Sequence, residues 1–334
     1  MKAAKFTVPG FEHLEMSSTG APLPPGRDEI MVKIFASSLN GHDLNVIKGR
    51  LPVSQGRILL TDGAGIVQSV GDGVTEFAAG DTVISTFFPS WTDGAAPIAN
   101  FSSTPGDGVD GFGTEVSTRH VSAFTKAPRG WSPTEAATLP TAGLTAYRAL
   151  VIEGKIKAGD HVLLLGTGGV SVLALQIAKA LGATVTITSS SDEKLERARV
   201  LGADHTVNYK TFPDWATKIN ETTKQRGVDL VLETGGPGTL PQSIAAARIG
   251  GTIILVGVVT GTAGVVPTAA IMGKQLKIFG ITVGSRTDQQ KMVSHFSDLS
   301  FRPHIDKVFK LENLSEAFTY QESNQHFGKI CIEV

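Results

Sequence analysis

The sequence predicts an α/β chain of two domains, a small β barrel or sandwich followed by a doubly wound parallel sheet. Its 334 residues exceed an ordinary single domain, and a hydrophobic content of 41% suffices for two cores. Short strands separated by glycine and proline fill residues 1 to about 125, a pattern typical of a barrel or sandwich. From His161 onward, apolar strands alternate with helical patterns, which is typical of a parallel sheet.

In the first region, the expected strands are Ile30–Phe35, Gly65–Val70, Thr82–Ser85 and Glu115–Ser117. No helical period of any length occurs before residue 125. Between Phe87 and Gly113 the chain is polar and rich in Gly, Pro, Ser and Asp. A loop of that length in a compact domain is usually functional or mobile. Phe88 and Trp91 in this loop either wall a substrate pocket or cover a core.

After Pro128 the pattern changes to helices. Ser132-Pro-Thr-Glu135 has the form of a capping box with proline at the first helical position, and a second helix is predicted over Gly143–Glu153. The strands expected in the parallel sheet are Val162–Leu165, Thr184–Thr188, Leu230–Glu233, Thr252–Val256 and Lys277–Val283.

The tail returns to mixed character. Asp306–Lys310 and Lys329–Val334 read as strands that flank a helix starting near Asn313. We expect this tail to pack on the first domain. The predicted domains are therefore residues 1–125, completed by 298–334, and residues 126–297.

The strand that begins at His161 ends in a glycine-rich turn, Gly166-Thr-Gly168-Gly169-Val170-Ser171, which opens into a helix. Strand, turn and helix in that order are the context of a dinucleotide fingerprint. Gly166 permits the tight turn, Gly168 lets the backbone approach a pyrophosphate, and the helix start offers unpaired N–H groups to the phosphates. Ser171 stands at the third fingerprint glycine, so a purely structural turn is the alternative.

Composition excludes several classes of protein. The formal net charge of −1 and the absence of long runs of one sign argue against nucleic acid or a membrane surface as a partner. Cys331 is the only cysteine, which excludes an intramolecular disulfide and any zinc site with two or more thiolates. The longest apolar stretch, Ile253–Val259, is too short to span a bilayer. Without an apolar signal core near Met1, we expect a cytoplasmic protein, and a short peroxisomal or mitochondrial address stays open.

Four segments together resemble the medium-chain dehydrogenase/reductase superfamily, in that family's order and through nearly the whole chain. They are Asp62–Val83, Leu139–Tyr147, the glycine turn and Leu201–Tyr209. The resemblance implies a GroES-like β-barrel catalytic domain plus a Rossmann domain, with a nicotinamide in the cleft between them and a small-molecule substrate. Members commonly pair through the edge strand of the Rossmann sheet, here Lys277–Val283, so a homodimer is expected.

Within that family, the decisive question is zinc. The zinc enzymes hold catalytic metal with a cysteine, a histidine and a second cysteine or aspartate, and the matching positions here are Asn40, Thr61 and Thr141. Carboxamides and hydroxyls are poor zinc ligands. His42 and Asp62 lie close by in the sequence, but two ligands fall short of the three that a catalytic zinc normally has. The resemblance therefore implies the zinc-free branch, which includes quinone and enone reductases.

The region after the second strand of the sheet favours NADPH. In NAD-binding Rossmann domains, a carboxylate about twenty residues after the turn binds the ribose. Here Thr184–Thr188 runs into Ser189-Ser190-Ser191 without an acid, and Ser190 and Glu193 are expected to cap the next helix. Lys194 suits a phosphate as a point charge.

NADPH-dependent quinone reductases use a serine, a lysine and a tyrosine in this region, and Ser189, Lys194 and Tyr209 match those positions. A solvated helix lysine and a strand-edge tyrosine are the alternative. Thr145 is expected to line the nicotinamide. The full set of residues expected at the cofactor is Thr141, Thr145, Gly166, Gly168, Gly169, Val170, Ser189, Lys194, Tyr209, Gly257 and Val283.

Without metal, the protein must orient the acceptor and stabilise charge on its oxygen, while the cofactor carries the hydride. A simple ketone gives a localised alkoxide, whereas a quinone or enone spreads the charge, so hydrogen bonds suffice. We expect Asn40 to donate to the acceptor and His42 to supply a proton near neutral pH. A structural His42 paired with Asp43 is the alternative, and Asp43 is expected to hold the loop.

The predicted function is an NADPH-dependent, zinc-independent oxidoreductase that reduces quinones or α,β-unsaturated carbonyls. One alternative is an alcohol dehydrogenase or ketone reductase of the same fold. The other is a catalytically silent NADPH-binding protein, because a fold does not by itself imply activity.

Overall fold

The computed structural model describes residues 1–18, 20, 22–97, 100–299 and 301–334. Its contacts divide the chain into two compact units. Unit 1 comprises Met1–Leu144 and Gly284–Val334, and unit 2 comprises Thr145–Val283. Residues 126–144 and 284–297, which were expected in the second domain, belong to unit 1. The mixed tail belongs to unit 1.

The elements below are those of the described residues. The strands are β1 (Lys2–Lys5), β2 (Glu15–Ser18), β3 (Glu29–Ser38), β4 (Ala64–Val70), β5 (Thr82–Ser85), β6 (Val116–His120), β7 (Phe124–Lys126), β8 (His161–Leu164), β9 (Thr184–Ser189), β10 (His205–Asn208), β11 (Val228–Glu233), β12 (Ala247–Leu255), β13 (Lys277–Gly280), β14 (Ile305–Lys310) and β15 (Lys329–Glu333). The α-helices are α1 (Gly41–Ile47), α2 (Pro133–Ala136), α3 (Leu144–Tyr147), α4 (Gly169–Ala180), α5 (Asp192–Val200), α6 (Trp215–Thr222), α7 (Leu240–Ala246), α8 (Thr268–Gly273), α9 (Arg286–Asp298) and α10 (Leu314–Glu322). Two π-helical segments, Leu139–Gly143 and Arg148–Glu153, flank α3.

Unit 1 is built on a sheet with the strand order β14-β15-β3-β4-β5-β7, and β6 also pairs with β3. β14 and β15 are parallel, and the other pairs are antiparallel. β3 is the centre of this sheet because it bonds to β4, β6 and β15. Its alternating residues Ile30, Val32 and Ile34 enter one hydrophobic core, as a strand with one buried face requires. This unit is the β domain expected from the sequence.

A second hydrophobic core in unit 1 holds α1 against the C-terminal elements. Val46 and Ile47 of α1 share it with Phe318 of α10 and with Ile330 and Ile332 of β15. Burial of each such side chain contributes about 1.5–3 kcal/mol. This core therefore holds α1 close to β15, although the two elements are far apart in the chain.

Unit 2 contains a six-stranded parallel sheet with the order β10-β9-β8-β11-β12-β13. Successive strands run outward from β8 in one direction and then from β11 in the other. The strand order thus reverses between β8 and β11, and ligands of such sheets bind outside the carboxyl ends of the strands at this point. β8 leads directly into the glycine turn and α4. The doubly wound parallel sheet predicted from the sequence is confirmed.

Several local predictions need correction. α1 was not expected, because a seven-residue helix is too short to show a helical period. β10 was not expected either, since it carries a single apolar residue, Val207, and lies at the sheet edge. The cap of α5 is Ser191, whose Oγ accepts from the Lys194 backbone N–H at 3.3 Å, and not the expected pair of Ser190 and Glu193.

The capping box at the start of α2 is confirmed. The Ser132 backbone N–H donates to Glu135 Oε2 at 2.8 Å, and the Glu135 N–H donates back to Ser132 Oγ at 3.2 Å. Both orphan donors of the helix start are thus satisfied. Over the part of the chain that the structure describes, no helix combines the length and the apolar character needed to cross a membrane.

Candidate functional site

The glycine turn of unit 2 leaves its backbone open to a ligand. Gly166 has a φ of +74°, in the left-handed region that favours glycine. A Cβ placed on Gly166 or Gly168 would meet no atom within 4 Å. Ser171, at the third fingerprint position, is buried and donates from Oγ to the Leu165 carbonyl at 2.7 Å, so its hydroxyl is satisfied inside the turn. The turn and the start of α4 therefore fit the phosphates of a dinucleotide.

The end of β9 carries hydroxyl groups and no acid. Ser189 Oγ lies 3.4 Å from Thr167 Oγ1 and accepts from the Ser191 N–H at 3.3 Å. The Tyr209 backbone N–H donates to the Ser189 carbonyl at 3.1 Å. Because the Ser191 side chain caps the backbone of Lys194, these hydrogen bonds join the chain at Ser189, Lys194 and Tyr209. The first acid after the strand, Asp192, accepts from Asn208 Nδ2 at 2.8 Å.

Three further residues expected at the cofactor have local structural roles. A Cβ on Gly257 would lie 2.5 Å from the Thr234 carbonyl oxygen, so only glycine permits this close approach. Val283 has a φ of +47°, and its carbonyl accepts from Arg148 Nη1 at 3.4 Å. Thr145 is buried. Their contact with a cofactor stays a prediction, as it does for Gly169 and Val170 at the start of α4.

In unit 1, Asp43 holds the start of α1 to the strand connection before β4. Its Oδ2 accepts from the Asn40 backbone N–H at 2.9 Å. Its Oδ1 accepts from the Thr61 N–H at 2.9 Å and from Thr61 Oγ1 at 2.8 Å. Burial raises the pKa of the Asp43 carboxyl, and the hydrogen bonds from Thr61 oppose that shift. Asp43 thus has the structural role expected for it.

Asp62 is a second, fully buried carboxylate. Its Oδ2 accepts from Ser38 Oγ at 2.7 Å and from Asn40 Nδ2 at 2.8 Å. Its Oδ1 accepts from Thr141 Oγ1 at 2.6 Å. Burial raises the pKa of Asp62, the nearby positive charge of Lys329 lowers it, and the negative charge of Asp43 raises it.

Lys329, at the start of β15, is the buried cation between these groups. Its Nζ donates to Asn40 Oδ1 at 2.6 Å and to the Leu39 carbonyl at 2.7 Å, and it lies 3.7 Å from Asp62 Oδ2. Burial lowers the pKa of Lys329, and the charge of Asp62 opposes that shift. Lys329 was not among the residues predicted from the sequence. Its only signal was a lysine that begins a largely apolar strand.

We call these seven side chains the buried polar network: Ser38, Asn40, Asp43, Thr61, Asp62, Thr141 and Lys329. It includes Asn40, Thr61 and Thr141. These are the three positions at which zinc enzymes of the family that the sequence resembles carry their metal ligands. The carboxylate oxygens accept hydrogen bonds from hydroxyl and amide groups, and they share one buried ammonium group. Among the described residues, no three His, Cys, Asp or Glu side chains are grouped so that they could hold a metal ion. This donor set does not fit a catalytic zinc.

The amide of Asn40 is fully engaged within the network. Nδ2 donates to Asp62 Oδ2 at 2.8 Å and to the Ser38 carbonyl at 3.3 Å, and Oδ1 accepts from Lys329. The expected donation from Asn40 to an acceptor stays a prediction. Such a contact would compete with the hydrogen bonds to Asp62 and Ser38.

His42 contacts the long loop and not Asp43. Its Nε2 lies 3.4 Å from Asp107 Oδ2, and its ring meets Phe87 and Phe101 edge-on at centroid distances of 5.3 and 4.7 Å. The alternative pairing of His42 with Asp43 is therefore wrong, because the Asp43 oxygens face Thr61 and the backbone of Asn40. Burial lowers the pKa of His42, and the charge of Asp107 opposes that shift.

The other aromatic residues of the loop belong to the same cluster. Phe88 stacks on Phe101 at a centroid distance of 6.2 Å, and the Trp91 Nε1–H donates to the Gly94 carbonyl at 3.0 Å. Both Phe88 and Trp91 are buried. Of the two interpretations of these side chains, the structure favours a covered core.

Comparisons with known proteins agree with this architecture. The sequence model of the alcohol dehydrogenase GroES-like domain matches residues 26–128, and that of zinc-binding dehydrogenases matches residues 169–298. The chain is 40% identical to a zinc-type alcohol dehydrogenase-like protein of Schizosaccharomyces pombe, over 98% of this chain and 97% of that protein. The predicted combination of a GroES-like domain and a Rossmann domain is confirmed.

Solved structures of oxidoreductases have the same fold as this chain. An NAD-dependent alcohol dehydrogenase, 33% identical, matches 100% of both chains with a TM-score of 0.89. The quinone oxidoreductase of Pseudomonas syringae pv. Tomato DC3000, 26% identical, matches 100% of this chain and 99% of its own with a TM-score of 0.82. Proteins similar to this chain thus include both alcohol dehydrogenases and a quinone reductase.

Proposed function

Because the chain belongs to the medium-chain dehydrogenase/reductase superfamily, among its zinc-type alcohol dehydrogenase-like oxidoreductases, we propose that it reduces a quinone or an α,β-unsaturated carbonyl with NADPH and without zinc. The buried polar network is the observation that carries this proposal. Asn40, Thr61 and Thr141 stand at the family's ligand positions, and hydrogen bonds to Asp43, Asp62 and Lys329 occupy their polar atoms.

The lack of a fitting metal site limits which acceptors are chemically suitable. Hydride addition to a simple ketone concentrates negative charge on one oxygen, which a metal ion stabilises well. Addition to a quinone or an enone delocalises the charge, so that positioned hydrogen-bond donors suffice. A polar site of hydroxyls, an amide and a buried ammonium group therefore suits a conjugated acceptor.

NADPH is the cofactor that the end of β9 supports. When bound, the nicotinamide supplies the hydride. The turn at Gly166 and Gly168 would hold the pyrophosphate, and Ser189, Lys194 and Tyr209 would surround the 2′-phosphate. The strand ends without the carboxylate that binds an NAD ribose. The first acid after the strand, Asp192, accepts a hydrogen bond from Asn208. A phosphate at this place would meet hydroxyl groups and a cation.

A homodimer is the proposed assembly, and the edge of the sheet in unit 2 supports it. β13 pairs with β12 only, within the described sheet. Phe279 of β13 is 41% exposed, and the segment that joins β12 to β13 exposes Val259 by 86%, Val265 by 84% and Met272 by 77%. Such a face is costly in water. A second copy of the chain, related by a two-fold axis, would cover it.

The test is oxidation of NADPH and NADH with a panel of quinones, enones, enoyl thioesters and ketones, on protein purified without chelators. Consumption of NADPH with a quinone or an enone is expected. No oxidation with any acceptor would contradict enzyme activity of this kind, and turnover limited to ketones would contradict the acceptor class.

Alcohol oxidation or ketone reduction is the second candidate function. The similarity to a solved NAD-dependent alcohol dehydrogenase at 33% identity favours it. Oxidation of alcohols with NAD⁺, together with stoichiometric zinc in the purified protein, would support this candidate against the first.

A further inference from the structure

The two oxygens of the Asp62 carboxylate have different surroundings. Oδ2 is bonded to Ser38 Oγ and Asn40 Nδ2 and lies 3.7 Å from Lys329 Nζ. Oδ1 is bonded to Thr141 Oγ1 at 2.6 Å. A proton on Oδ1 would reverse the direction of that one hydrogen bond, because a hydroxyl can donate or accept. The contacts of Oδ2 would remain as they are.

Thr141 is the most exposed member of the buried polar network. Ser38, Asn40, Asp43, Thr61, Asp62 and Lys329 are all buried, whereas Thr141 is half-buried. Thr141 Oγ1 is therefore the most accessible route along the network for a proton that leaves or reaches Asp62. The 2.6 Å separation is short enough for direct transfer between the two oxygens.

Charged and titratable groups on two elements surround Asp62. β15 brings Lys329 and the Cys331 thiol near it, and α1 brings Asp43 and His42. Burial and Asp43 raise the pKa of Asp62, which favours the protonated form, while Lys329 stabilises the carboxylate. The two influences on the pKa of Asp62 therefore oppose each other, as in carboxylic acids that act as proton donors.

We propose that Thr141 and Asp62 are the proton-transfer pair of this enzyme. Asp62 Oδ1 holds the proton, Thr141 Oγ1 passes it to the carbonyl oxygen of the acceptor, and Lys329 stabilises the carboxylate that remains. The inference rests on the proposed function. It names Thr141 as the group that meets the acceptor and Asp62 as the acid behind it.

The step balances in atoms and charge. A bound nicotinamide would supply the hydride that adds to a carbon of the acceptor, and the carbonyl oxygen of the acceptor would then gain negative charge. An O–H bond forms at that oxygen as the Thr141 O–H bond breaks, and Thr141 takes the proton of Asp62. Asp62 becomes a carboxylate beside Lys329 and regains its proton from water through Thr141. Alcohol oxidation would run the same transfers in reverse.

His42 is the rival proton donor. Burial lowers its pKa, which favours the neutral imidazole, and its Nε2 faces Asp107 among aromatic rings. The proposal predicts that His42→Ala keeps the pH dependence of kcat/KM and loses stability. A flattened pH profile in His42→Ala would assign the proton to His42 and overturn the proposal.

The first test compares Thr141→Val with Thr141→Ser on an enone with NADPH. Thr141→Val removes the hydroxyl and should lower kcat/KM by about 100-fold, whereas Thr141→Ser should stay within about fivefold of the wild type. Thr138→Val is the matched control, because Thr138 is buried outside the network and its hydroxyl donates to the Glu135 carbonyl at 2.7 Å, not to a carboxylate. It should lower stability without changing the pH profile. Equal kcat/KM in Thr141→Val and Thr141→Ser would overturn the proposal.

NADPH affinity separates this role of Thr141 from the cofactor contact expected from the sequence. The proposal predicts that the Kd for NADPH, measured by fluorescence titration, changes by less than about threefold in Thr141→Val. A loss of NADPH affinity as large as the loss in kcat/KM would show that Thr141 acts by binding the cofactor equally in the ground state and the transition state. That result would contradict proton transfer.

A second measurement does not depend on turnover. In infrared difference spectra of the whole protein, a carboxyl band should grow as the pH is lowered, shift in Thr141→Val and be absent from Asp62→Asn. If no such band appears at any pH at which the protein stays folded, the proposal fails. If the band is present but no acceptor oxidises NADPH, the proposed function fails and the proton-holding pair stands.

Discussion

Lys329 Nζ donates a hydrogen bond of 2.6 Å to Asn40 Oδ1, and this contact fixes which end of the amide faces Asp62. The amide hydrogens of Asn40 therefore point toward Asp62 Oδ2 and the Ser38 carbonyl. A residue held in this way orients its surroundings even if it never touches the acceptor.

Replacement of Asn40 by alanine tests this relationship. We expect kcat/KM for an enone to fall by about tenfold to a thousandfold, with NADPH affinity within a few-fold of the wild type. Stability should fall by about 1–3 kcal/mol, because Asp62 and Lys329 each lose a buried partner. Steady-state rates and urea unfolding measure the two effects. Unchanged rates would remove Asn40 from the site and leave it a structural residue.

Lys194→Ala tests the cofactor preference. It should weaken NADPH binding by roughly 1.5–3 kcal/mol, since one charge-assisted contact to a phosphate is lost, and leave NADH binding nearly unchanged. Lys218→Ala is the matched control. It removes a lysine of α6, a different helix of unit 2, where Lys218 forms an ion pair with Glu221 of the same helix. The Kd values of both cofactors are the measurement. Equal losses for NADPH and NADH in Lys194→Ala would contradict a 2′-phosphate contact.

Independence from zinc is predicted from the donor set of the buried polar network. Activity with the best acceptor should survive exhaustive dialysis against a chelator, and the purified protein should contain zinc well below one ion per chain. Metal analysis and rates before and after dialysis provide the check. If the chelator abolished turnover and added zinc restored it, the assignment to the zinc-free branch would be wrong.

The exposed edge at β13 predicts a dimer that a charge can break. Phe279→Lys places an ammonium group on β13 itself, at a side chain that is 41% exposed in the single chain. It should convert a dimer into a monomer, as measured by light scattering over a range of concentrations. Val200→Lys is the control, because Val200 is 80% exposed but lies on α5, next to the opposite edge of the sheet. A wild-type mass of one chain at every concentration would contradict the dimer.

His161 predicts a loss of stability in acid. It is buried at the start of β8, its Nε2 lies 2.7 Å from Thr186 Oγ1, and burial lowers its pKa to about 4. An unfolded histidine titrates near about 6.5. Between these two values the unfolded chain binds a proton that the folded chain does not bind. The stability that neutral His161 contributes is therefore fully present above about pH 6.5 and is lost as the pH falls.

At about pH 5 this effect amounts to about 2 kcal/mol. His161→Gln cannot titrate and keeps a group able to bond Thr186. The variant should therefore lose less stability than the wild type between pH 7 and pH 5, as measured by urea unfolding at each pH. Identical slopes in the two proteins would show that His161 is not the titrating group.

Much of the fold could be predicted because its signals are local. The strand β5 has the predicted bounds, Thr82–Ser85, and the strand, glycine turn and helix of unit 2 occur in the predicted order. These elements depend on hydrophobic period and on backbone conformations that favour glycine. α1 has too few residues for a period to be visible, although Asn40 and Asp43 at its start were singled out for other reasons.

The site was harder to predict because its partners are distant in the chain. Thr141 was recognised as a position lacking a zinc ligand, but nothing in the sequence showed that its hydroxyl donates to Asp62. Lys329 escaped notice because a lysine at the start of a strand is usually solvated. Asp107 lies in a long loop, where no spacing rule relates it to His42. Only tertiary packing brings these groups together.

Asn40 and Lys329 are separated by 289 residues, and the whole of unit 2 lies between them. During synthesis, Asp43 and Asp62 therefore leave the ribosome long before the ammonium group that neutralises them. Unit 2 is continuous in sequence and can complete its sheet in that interval. β3 must wait for β15 as its neighbour. Unit 1 begins first and is completed last, and until then its two carboxylates have no buried cation to pair with.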